Sequence, residues 1–322
     1  MTVPHPAPLG ATPKSLSTPS SLAGFVGSTG QILNLDDAYA IDESRPYRFN
    51  KEFDRKNNYR TRSILCVPFK EPAGSVVGVL QLINALDRDG QPTTFDPKIE
   101  PLILSLASQA AVAIRNAQLT QDLKEAHYET ILRLSNAAEH RDPEMGRHIQ
   151  RMSQYAGAIA SGYGLSETEV EMIVHACPMH DIGKLGIPDA ILLKPGKLTK
   201  DEYEVMKTHT EIGGKILSNS KVPVLQLSEV IARNHHERWD GSGYPQGKKG
   251  EEIPLAGRIA AIADVFDALS SPRCYKKAFS VDESIAEIRK NSGIMFDPKL
   301  VKVFDAVLDK ILNIKEAYPD NT

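Results

Sequence analysis

Five histidines and three acids are spread over a series of helical segments between about residues 130 and 312. This distribution constrains the fold more than any other feature of the chain. The residues are Glu144, His148, His180, Asp181, His209, His235, His236 and Asp264. Apolar residues recur at helical spacing around them, so we expect an all-helical domain whose helices bring these side chains together.

Start and stop signals divide this half into helices. Ser166 with Glu169, and Thr199 with Glu202, each form the pattern of a capping box. The pair Asp142-Pro143 is typical of a helix start, and the glycines that follow at 162 and 164 predict the end of that helix. Glu144 and His148 would then lie four residues apart on one helical face.

Two further positions stand out by their surroundings. Asp264 lies in the apolar run GRIAAIADVFDALS, where a lone carboxylate is costly to bury unless it is paired or bound to a cation. His235 and His236 open the segment HHERWDGSGYP. Adjacent side chains on a helix point about 100° apart, so we expect these two rings to reach two metals of one cluster rather than share one.

Each of these signals is weak when taken alone. A single histidine on a helix is usually an ordinary core or surface residue, and we interpret the remaining four, His5, His127, His140 and His175, in that way. A Glu/His pair at this spacing is most often solvated, and an aspartate in an apolar run can act only as a cap. The joint order of the eight residues is what favours a metal site with imidazole and carboxylate ligands, which suits iron or manganese better than a closed zinc site.

The bulk properties limit the other classes of function. The 322 residues are enough for about two domains, and a net charge of −3 argues against a general binder of nucleic acid or membrane surfaces. The three cysteines are scattered, and no apolar run approaches the roughly 18 residues of a membrane helix. We therefore expect a cytoplasmic protein.

The N-terminal half has a different pattern. Residues 1–20 are rich in Pro, Ser, Thr and Ala, which indicates a disordered leader. Two β-type runs between residues 63 and 85 are joined by the turn sequence EPAG and predict a hairpin. Asp96 and Pro97 then predict the start of a long helix, whose part over 105–134 we interpret as a linker between domains.

The stretches YRTRSILCVPF, GVLQLIN and ASQAAVAIRNAQL resemble the later part of a GAF domain, a small α/β sensor module. We assign residues 21–118 to this domain. Too few residues precede Ser63 for all the usual strands, so we expect a partial sheet. The alternative is a dimerisation and spacer module without a ligand.

The stretches HDIGKLGIPDAILLKPGKLT, HHERWDGSGYP and ADVFDALSS closely resemble the HD-GYP family of metal-dependent phosphohydrolases, which cleave cyclic di-GMP. The resemblance runs from about Leu132 to Leu312, and we assign 132–315 to the catalytic domain. The whole chain is thus expected to be multidomain: a small α/β N-terminal domain, a linking helix and an all-α C-terminal domain.

The resemblance implies a role for each matching residue. Metal ligands fall on His148, His180, Asp181, His209, His235, His236 and Asp264, with Asp181 bridging two metals and Glu144 available to a third. Lys184 and Asp181 are the implied catalytic residues, and Lys184, Tyr244, Arg273 and Lys276 the implied substrate contacts. Pro272 and Cys274 depart from the family's usual residues beside Arg273. Solvated surface charge is the alternative for the basic run at 273–277.

The resemblance also implies two or three divalent ions, iron or manganese, as cofactors. Adjacent cations offset the negative charge of a phosphodiester and lower the pKa of a bridging water. The implied partners are cyclic di-GMP, a second copy of the chain and GGDEF-type signalling proteins, with no membrane or polymeric nucleic acid. Two alternatives to the phosphodiesterase remain: an inactive cyclic-dinucleotide-binding protein, and an HD-type di-iron oxygenase.

Overall fold

The computed structural model describes residues 20–139, 147–271 and 279–319. The chain divides into two compact units, Met1–Leu123 and Lys124–Thr322. Within the described residues, no helix has both the length and the apolar character required to cross a membrane.

The first unit is a small α/β structure. Its elements are α1 (Leu22–Thr29), β1 (Leu33–Leu35), α2 (Glu52–Asn57), β2 (Ile64–Lys70) and β3 (Val76–Ile83). The described strands form one antiparallel sheet in the order β1-β2-β3, in which Cys66 pairs with Leu33 on one side and Gln81 on the other. The predicted hairpin is confirmed, and its turn contains Gly74 at a φ of 91°, a conformation that favours glycine.

The long helix α3 extends over Glu100–Glu139, beyond both ends of the predicted 105–134. A short 3-10 turn, Pro97–Ile99, leads into it, and the side chain of Asp96 accepts a hydrogen bond from the Lys98 backbone N–H at 2.9 Å. The predicted cap is therefore confirmed. Ala107 and Ala111 are buried on one face of α3, where Ala107 packs with Leu65 and Val67 of β2.

The second unit is helical throughout its described residues, as expected. After the end of α3, its helices are α4 (His148–Tyr163), α5 (Glu167–Ala176), α6 (Asp189–Leu192), α7 (Lys200–Lys207), α8 (His209–Leu217), α9 (Pro223–Asn234), α10 (Leu255–Ser270), α11 (Val281–Lys290), α12 (Pro298–Ala306) and α13 (Leu308–Ala317). Its core is centred on Phe266, whose ring lies 5.4 Å from that of Tyr155 and 5.3 Å from that of Phe304. These aromatic contacts hold α4, α10 and α12 together.

Local sequence signals correctly predicted the end of α4 and the starts of α5 and α7. The capping boxes of Ser166 with Glu169 and of Thr199 with Glu202 are both present. Gly164 ends α4 in the left-handed conformation at a φ of 98°.

The predicted start of α4 was wrong. The helix begins at His148, because Arg147 before it has a non-helical backbone. The predicted start residues, Asp142 and Pro143, lie outside the described residues. The start coincides with a long-range contact of the His148 ring, which a local capping rule does not include.

Candidate metal centre

Seven of the predicted ligand residues lie in the described part of the second unit. Six of them lie at or beside the end of a helix or 3-10 turn, and the seventh, Asp264, lies within α10. His148 begins α4, His209 begins α8, and His235 follows directly after the last residue of α9. His180 and Asp181 lie between two 3-10 turns, Cys177–Met179 and Ile182–Gly186. Pro178 lies in the first of these turns, after α5 has ended at Ala176, because a proline cannot continue the hydrogen bonding of the helix.

A glycine allows this segment to approach α8. A Cβ on Gly183 would overlap the carbonyl oxygen of His209 and lie 2.5 Å from the backbone nitrogen of Gly213. Only a residue without a side chain fits at such a distance. The HD pair is thereby brought beside His209, although 28 positions of sequence separate His209 from Asp181.

One group of ligand atoms surrounds a carboxylate oxygen of Asp181. Nε2 of His209 lies 3.2 Å from Oδ1 of Asp181, and Nε2 of His235 lies 3.5 Å from the same oxygen. His236 completes the group, in which one ligand atom from each of the four residues lies within 4.8 Å of the others.

The second group consists of His148, His180 and Asp264, again with ligand atoms within 4.8 Å of one another. Oδ1 of Asp264 lies 3.5 Å from Nε2 of His148 and 4.0 Å from Nε2 of His180. Nε2 of His180 is also 3.4 Å from Oδ2 of Asp181. The two oxygens of Asp181 therefore face different groups, which is the arrangement that a carboxylate shared between two cations requires.

The tautomers of the imidazoles suit metal binding. Nδ1 of His209 lies 2.7 Å from the carbonyl oxygen of Met206, and Nδ1 of His235 lies 3.1 Å from that of Ala232. A carbonyl only accepts, so Nδ1 carries the proton and Nε2 presents a lone pair. Two lone pairs directed at one carboxylate oxygen repel it unless a cation lies between them. These residues therefore fit divalent metal ions.

The pKa shifts favour the same protonation states. Burial lowers the pKa of His235, and burial together with His235 and His209 holds the pKa of His236 well below its usual value. Burial alone would raise the pKa of Asp181, but the charge of Lys184 and the contacts with His180 outweigh it and hold that pKa well below its usual range. Neutral imidazoles and an ionised carboxylate are the forms that bind metal.

The remaining described site residues lie around the groups. Nζ of Lys184 lies 2.8 Å from Oδ2 of Asp181. The ring of Tyr244 lies 4.8 Å from that of His236, and the ring of Tyr203 lies 6.3 Å from that of Tyr244. Burial, followed by the effect of Tyr203, raises the pKa of Tyr244, so its phenol stays protonated and able to donate.

The loop that carries Tyr244 is folded back on itself by Glu237, which is buried. This carboxylate accepts hydrogen bonds from the backbone N–H groups of Gln246 at 2.8 Å and Lys248 at 3.0 Å. A Cβ on Gly243 would lie 2.6 Å from Cα of Glu237, so the glycine permits this close return. The loop is therefore held next to His236.

One expectation differs from the structure. His235 and His236 were expected to divide their rings between two metals, but both belong to the group of Asp181 and His209. That expectation requires both residues to lie within a helix, whereas His235 is the C-cap of α9, His236 lies beyond it, and their ring centroids are 4.1 Å apart.

Three predicted site residues, Glu144, Arg273 and Lys276, lie outside the described residues. Of the histidines interpreted as ordinary, His175 stacks on Tyr128 with ring centroids 4.3 Å apart, and His127 is exposed. His5 and His140 also lie outside the described residues.

The sequence interpretation missed a second buried acid in α10. Oδ2 of Asp267 lies 2.7 Å from Nδ1 of His148, and Arg151 binds both oxygens of Asp267. Burial raises the pKa of Asp267, but His148 and then Arg151 outweigh it, so the pKa is lowered. The available signal was its spacing, since Asp267 lies three residues after Asp264 and so on the same side of a helix.

Comparisons with known proteins agree with this geometry. The HD domain family matches residues 133–300, which is more than half of the chain. The GAF domain family matches residues 4–114, a range that begins before the predicted domain start at residue 21.

Three curated relatives match more than half of this chain. The 3'3'-cGAMP-specific phosphodiesterase 2 of Vibrio cholerae is 44% identical over 65% of this chain and 40% of the relative. The cyclic di-GMP phosphodiesterase response regulator RpfG of Xanthomonas campestris is 50% identical over 58% of this chain and 49% of the relative. The cyclic di-GMP phosphodiesterase of Thermotoga maritima is 51% identical over 55% of this chain and 48% of the relative. The matched region spans less than half the length of each relative.

The helical unit brings together the histidines and aspartates of the HDIGK, HHERWDGSGYP and ADVFDALSS segments. Because the family match also covers more than half of the chain, this chain belongs to the HD domain family.

Proposed function

We propose that the chain is a metal-dependent phosphodiesterase that hydrolyses cyclic di-GMP to pGpG, to GMP or to both. The observation that carries this proposal is the position of Asp181. Its two oxygens face two separate groups of imidazoles, and the ammonium of Lys184 lies beside one of them. With divalent ions bound, such a centre would concentrate positive charge at one point on the protein, as an anionic phosphodiester requires.

In this proposal the two groups would hold two divalent ions, iron or manganese, with Asp181 as a ligand shared between them. Donors restricted to imidazole and carboxylate favour these metals over a thiolate-bound zinc. Bound ions would supply positive charge at the phosphodiester and a water of lowered pKa. Glu144 would add a ligand for a third ion.

The side chains around the centre have separate tasks. Lys184 would direct its ammonium at the scissile phosphate, where negative charge increases in the transition state. The protonated phenol of Tyr244, next to His236, would donate a hydrogen bond to the substrate. Arg273 and Lys276 would bind the second phosphate.

A closely related substrate is the main competitor. One relative is named as specific for 3'3'-cGAMP, and two are named for cyclic di-GMP. Both substrates present the same pair of bridging phosphates and differ only in one base. The lysine and tyrosine beside the centre suit such an anionic substrate, which favours a hydrolase over a di-iron oxygenase.

The test uses the full chain purified without oxygen. Elemental analysis gives the metals per chain, and chromatography follows the products from equal concentrations of cyclic di-GMP and 3'3'-cGAMP. We expect about two or three metals per chain, with faster cleavage of cyclic di-GMP. Preferred cleavage of 3'3'-cGAMP would change the substrate, and tight binding of metal-loaded protein to either nucleotide without turnover would favour the inactive binding protein.

We also propose that the chain forms a homodimer through α3 and the GAF-like domain, and that it acts in the cytoplasm with GGDEF-type signalling partners. Five leucines on α3 are exposed: Leu102, Leu106, Leu119, Leu123 and Leu134. Among the small residues of the same helix, Ala113 and Ala117 are exposed, whereas Ala110 is half-buried. An apolar helix face of this length is typical of helix pairing.

A further inference from the structure

Asp267 is a buried acid that the proposed reaction does not use. It lies in α10 one turn after Asp264, with only 1% of its surface exposed. Three hydrogen bonds reach its carboxylate: from Nε of Arg151 to Oδ1 at 2.6 Å, from Nη2 of Arg151 to Oδ2 at 3.0 Å, and one between Nδ1 of His148 and Oδ2 at 2.7 Å.

The bidentate pair with Arg151 determines the role of the His148 contact. A guanidinium has only donors, so the carboxylate beside it is ionised and can only accept. Nδ1 of His148 must therefore donate the third hydrogen bond. In the neutral ring this leaves the lone pair on Nε2, the atom that lies 3.5 Å from Oδ1 of Asp264.

His148 differs from the other imidazoles of the centre in its acceptor. Nδ1 of His180, His209 and His235 each faces a backbone carbonyl three or four residues earlier in the chain. His148 begins its helix, and its acceptor comes instead from a carboxylate 119 residues later. A charged acceptor raises the basicity of the ring more than a carbonyl does.

Arg151 is itself held by further contacts. Its Nη2 donates to Oγ of Ser271 at 2.9 Å, and its Nη1 donates to the carbonyl oxygen of Tyr318 at 3.1 Å. The guanidinium is almost fully buried, so its orientation is set by these partners. The carboxylate of Asp267 is thus fixed relative to α4, α10 and the residue after α13.

We propose that Asp267, oriented by Arg151, is a positioning residue that holds the His148 ring in the tautomer and orientation needed to bind a metal with His180 and Asp264. This inference rests on the proposed metal centre and adds a residue to it. It predicts that metal affinity at this group, and not at the group of Asp181, depends on Asp267.

The discriminating variant is Asp267→Asn, which has the same shape. Its amide must direct an NH₂ either at Nε of Arg151 or at Nδ1 of His148, both of which are donors. Turned toward His148, it favours the tautomer with the proton on Nε2, where the metal would bind. We expect a loss of about 10–100-fold in affinity at the His148 group, the usual effect of removing such an acceptor.

The measurement is a Co²⁺ titration of chelator-treated full-length protein, followed by calorimetry and by visible absorption, which reports ligand geometry. Wild type should bind in two steps, and Asp267→Asn should weaken one step while the other keeps its affinity and spectrum. His148→Gln identifies the affected step. Asp297→Asn, which makes the same change in another buried Arg–Asp pair, that of Arg258 with Asp297, is the matched control and should bind as wild type does.

Either of two results would overturn the inference. One is a folded Asp267→Asn protein in which ¹⁵N-histidine NMR shows the proton of His148 on Nε2, so that the amide NH₂ faces this ring, while both metal-binding steps keep their wild-type affinities. The other is equal weakening of both steps together with a lower melting temperature, which would mean that the Arg151–Asp267 pair only joins two helices.

If Asp267→Asn fails to fold, the wild-type apo protein still provides a test. Nitrogen NMR of ¹⁵N-histidine, assigned with His148→Gln, should show the proton of His148 on Nδ1, and a proton on Nε2 would refute the inference. These readouts are independent of turnover. A chain that binds Co²⁺ in this way but cleaves no cyclic dinucleotide would contradict the proposed function and leave the role of Asp267 intact.

Discussion

The ammonium of Lys184 lies 2.8 Å from Oδ2 of Asp181, the same oxygen that faces His180. Asp181 is therefore in contact with a fixed positive charge on one side and with imidazole nitrogens on the others. Metal binding and charge stabilisation therefore fall to different residues. Lys184 adds positive charge to the centre but belongs to neither group of candidate ligands.

Replacing Lys184 with alanine should lower kcat by about 10²–10³-fold, the typical effect of removing one group that stabilises transition-state charge. Metal content should remain near the wild-type value at pH 7–8, because the ligand set is complete. Parallel assays of turnover and elemental composition check this. Lys194→Ala, which removes an ammonium bound to Glu202, is the control and should leave both unchanged. Metal loss in proportion to activity would contradict the separate role of Lys184.

Asp181→Ala should remove metal from both groups, because one oxygen of this carboxylate faces His209 of the first group and the other faces His180 of the second. His209→Ala should weaken only one of the two. Both variants should lose hydrolysis while circular dichroism shows a folded protein. Metal counts per chain distinguish them, with His175→Ala, whose ring stacks on Tyr128, as the control. Equal metal content in the two variants would refute the division of the Asp181 oxygens.

The double variant Leu119→Lys, Leu123→Lys should convert a dimer into a monomer, because two charges per chain would have to be buried at the α3 contact. Light scattering over a range of concentrations measures the mass. Leu193→Lys, at an exposed leucine of the other unit, should leave the dimer intact. A wild-type chain that is monomeric at working concentrations would exclude this interface.

Asp54 should make the stability of the first unit depend on pH. It is buried and accepts hydrogen bonds from the backbone N–H of Thr61 at 2.7 Å, the hydroxyl of Thr61 at 2.8 Å and the hydroxyl of Tyr39 at 3.0 Å. Burial raises the pKa of Asp54, but the bonds from Thr61 and then Tyr39 outweigh it, so the pKa is lowered. A lowered folded-state pKa adds stability above the unfolded value of about 3.9, and this stability is lost as the pH falls through the folded value.

Asp54→Asn removes this contribution at every pH. Hydrogen exchange of residues 61–70, corrected for intrinsic rates, should therefore be faster in the variant by a constant factor between pH 5 and 7. The difference should begin to shrink near pH 4, where the carboxylate of the unfolded chain becomes protonated, and should be lost as the pH falls through the lower folded-state pKa. Asp37→Asn, which changes a half-buried neighbour that pairs with Arg60, is the matched control. A difference that grows toward low pH would contradict the sign of the shift.

Local sequence rules determined much of the fold. The cap at Asp96, the capping boxes at Ser166 and Thr199, and the hairpin with Gly74 depend on residues within a turn of one another, so they can be predicted from neighbours alone. Family resemblance, rather than spacing, supplied the seven candidate ligands that the structure describes. The structure brings all seven into two groups.

Tertiary structure alone decided how those residues are divided. The sequence determined that histidines and aspartates occupy successive helices, but the angle of each helix, the contact of Gly183 with His209 and the pairing of His148 with Asp267 depend on packing between distant segments. For the same reason the sequence did not predict that His235 and His236 belong to one group, because both follow the last residue of α9. Short-range preferences are fixed within a few residues, whereas the geometry of a shared centre depends on the positions of all the helices that contribute to it.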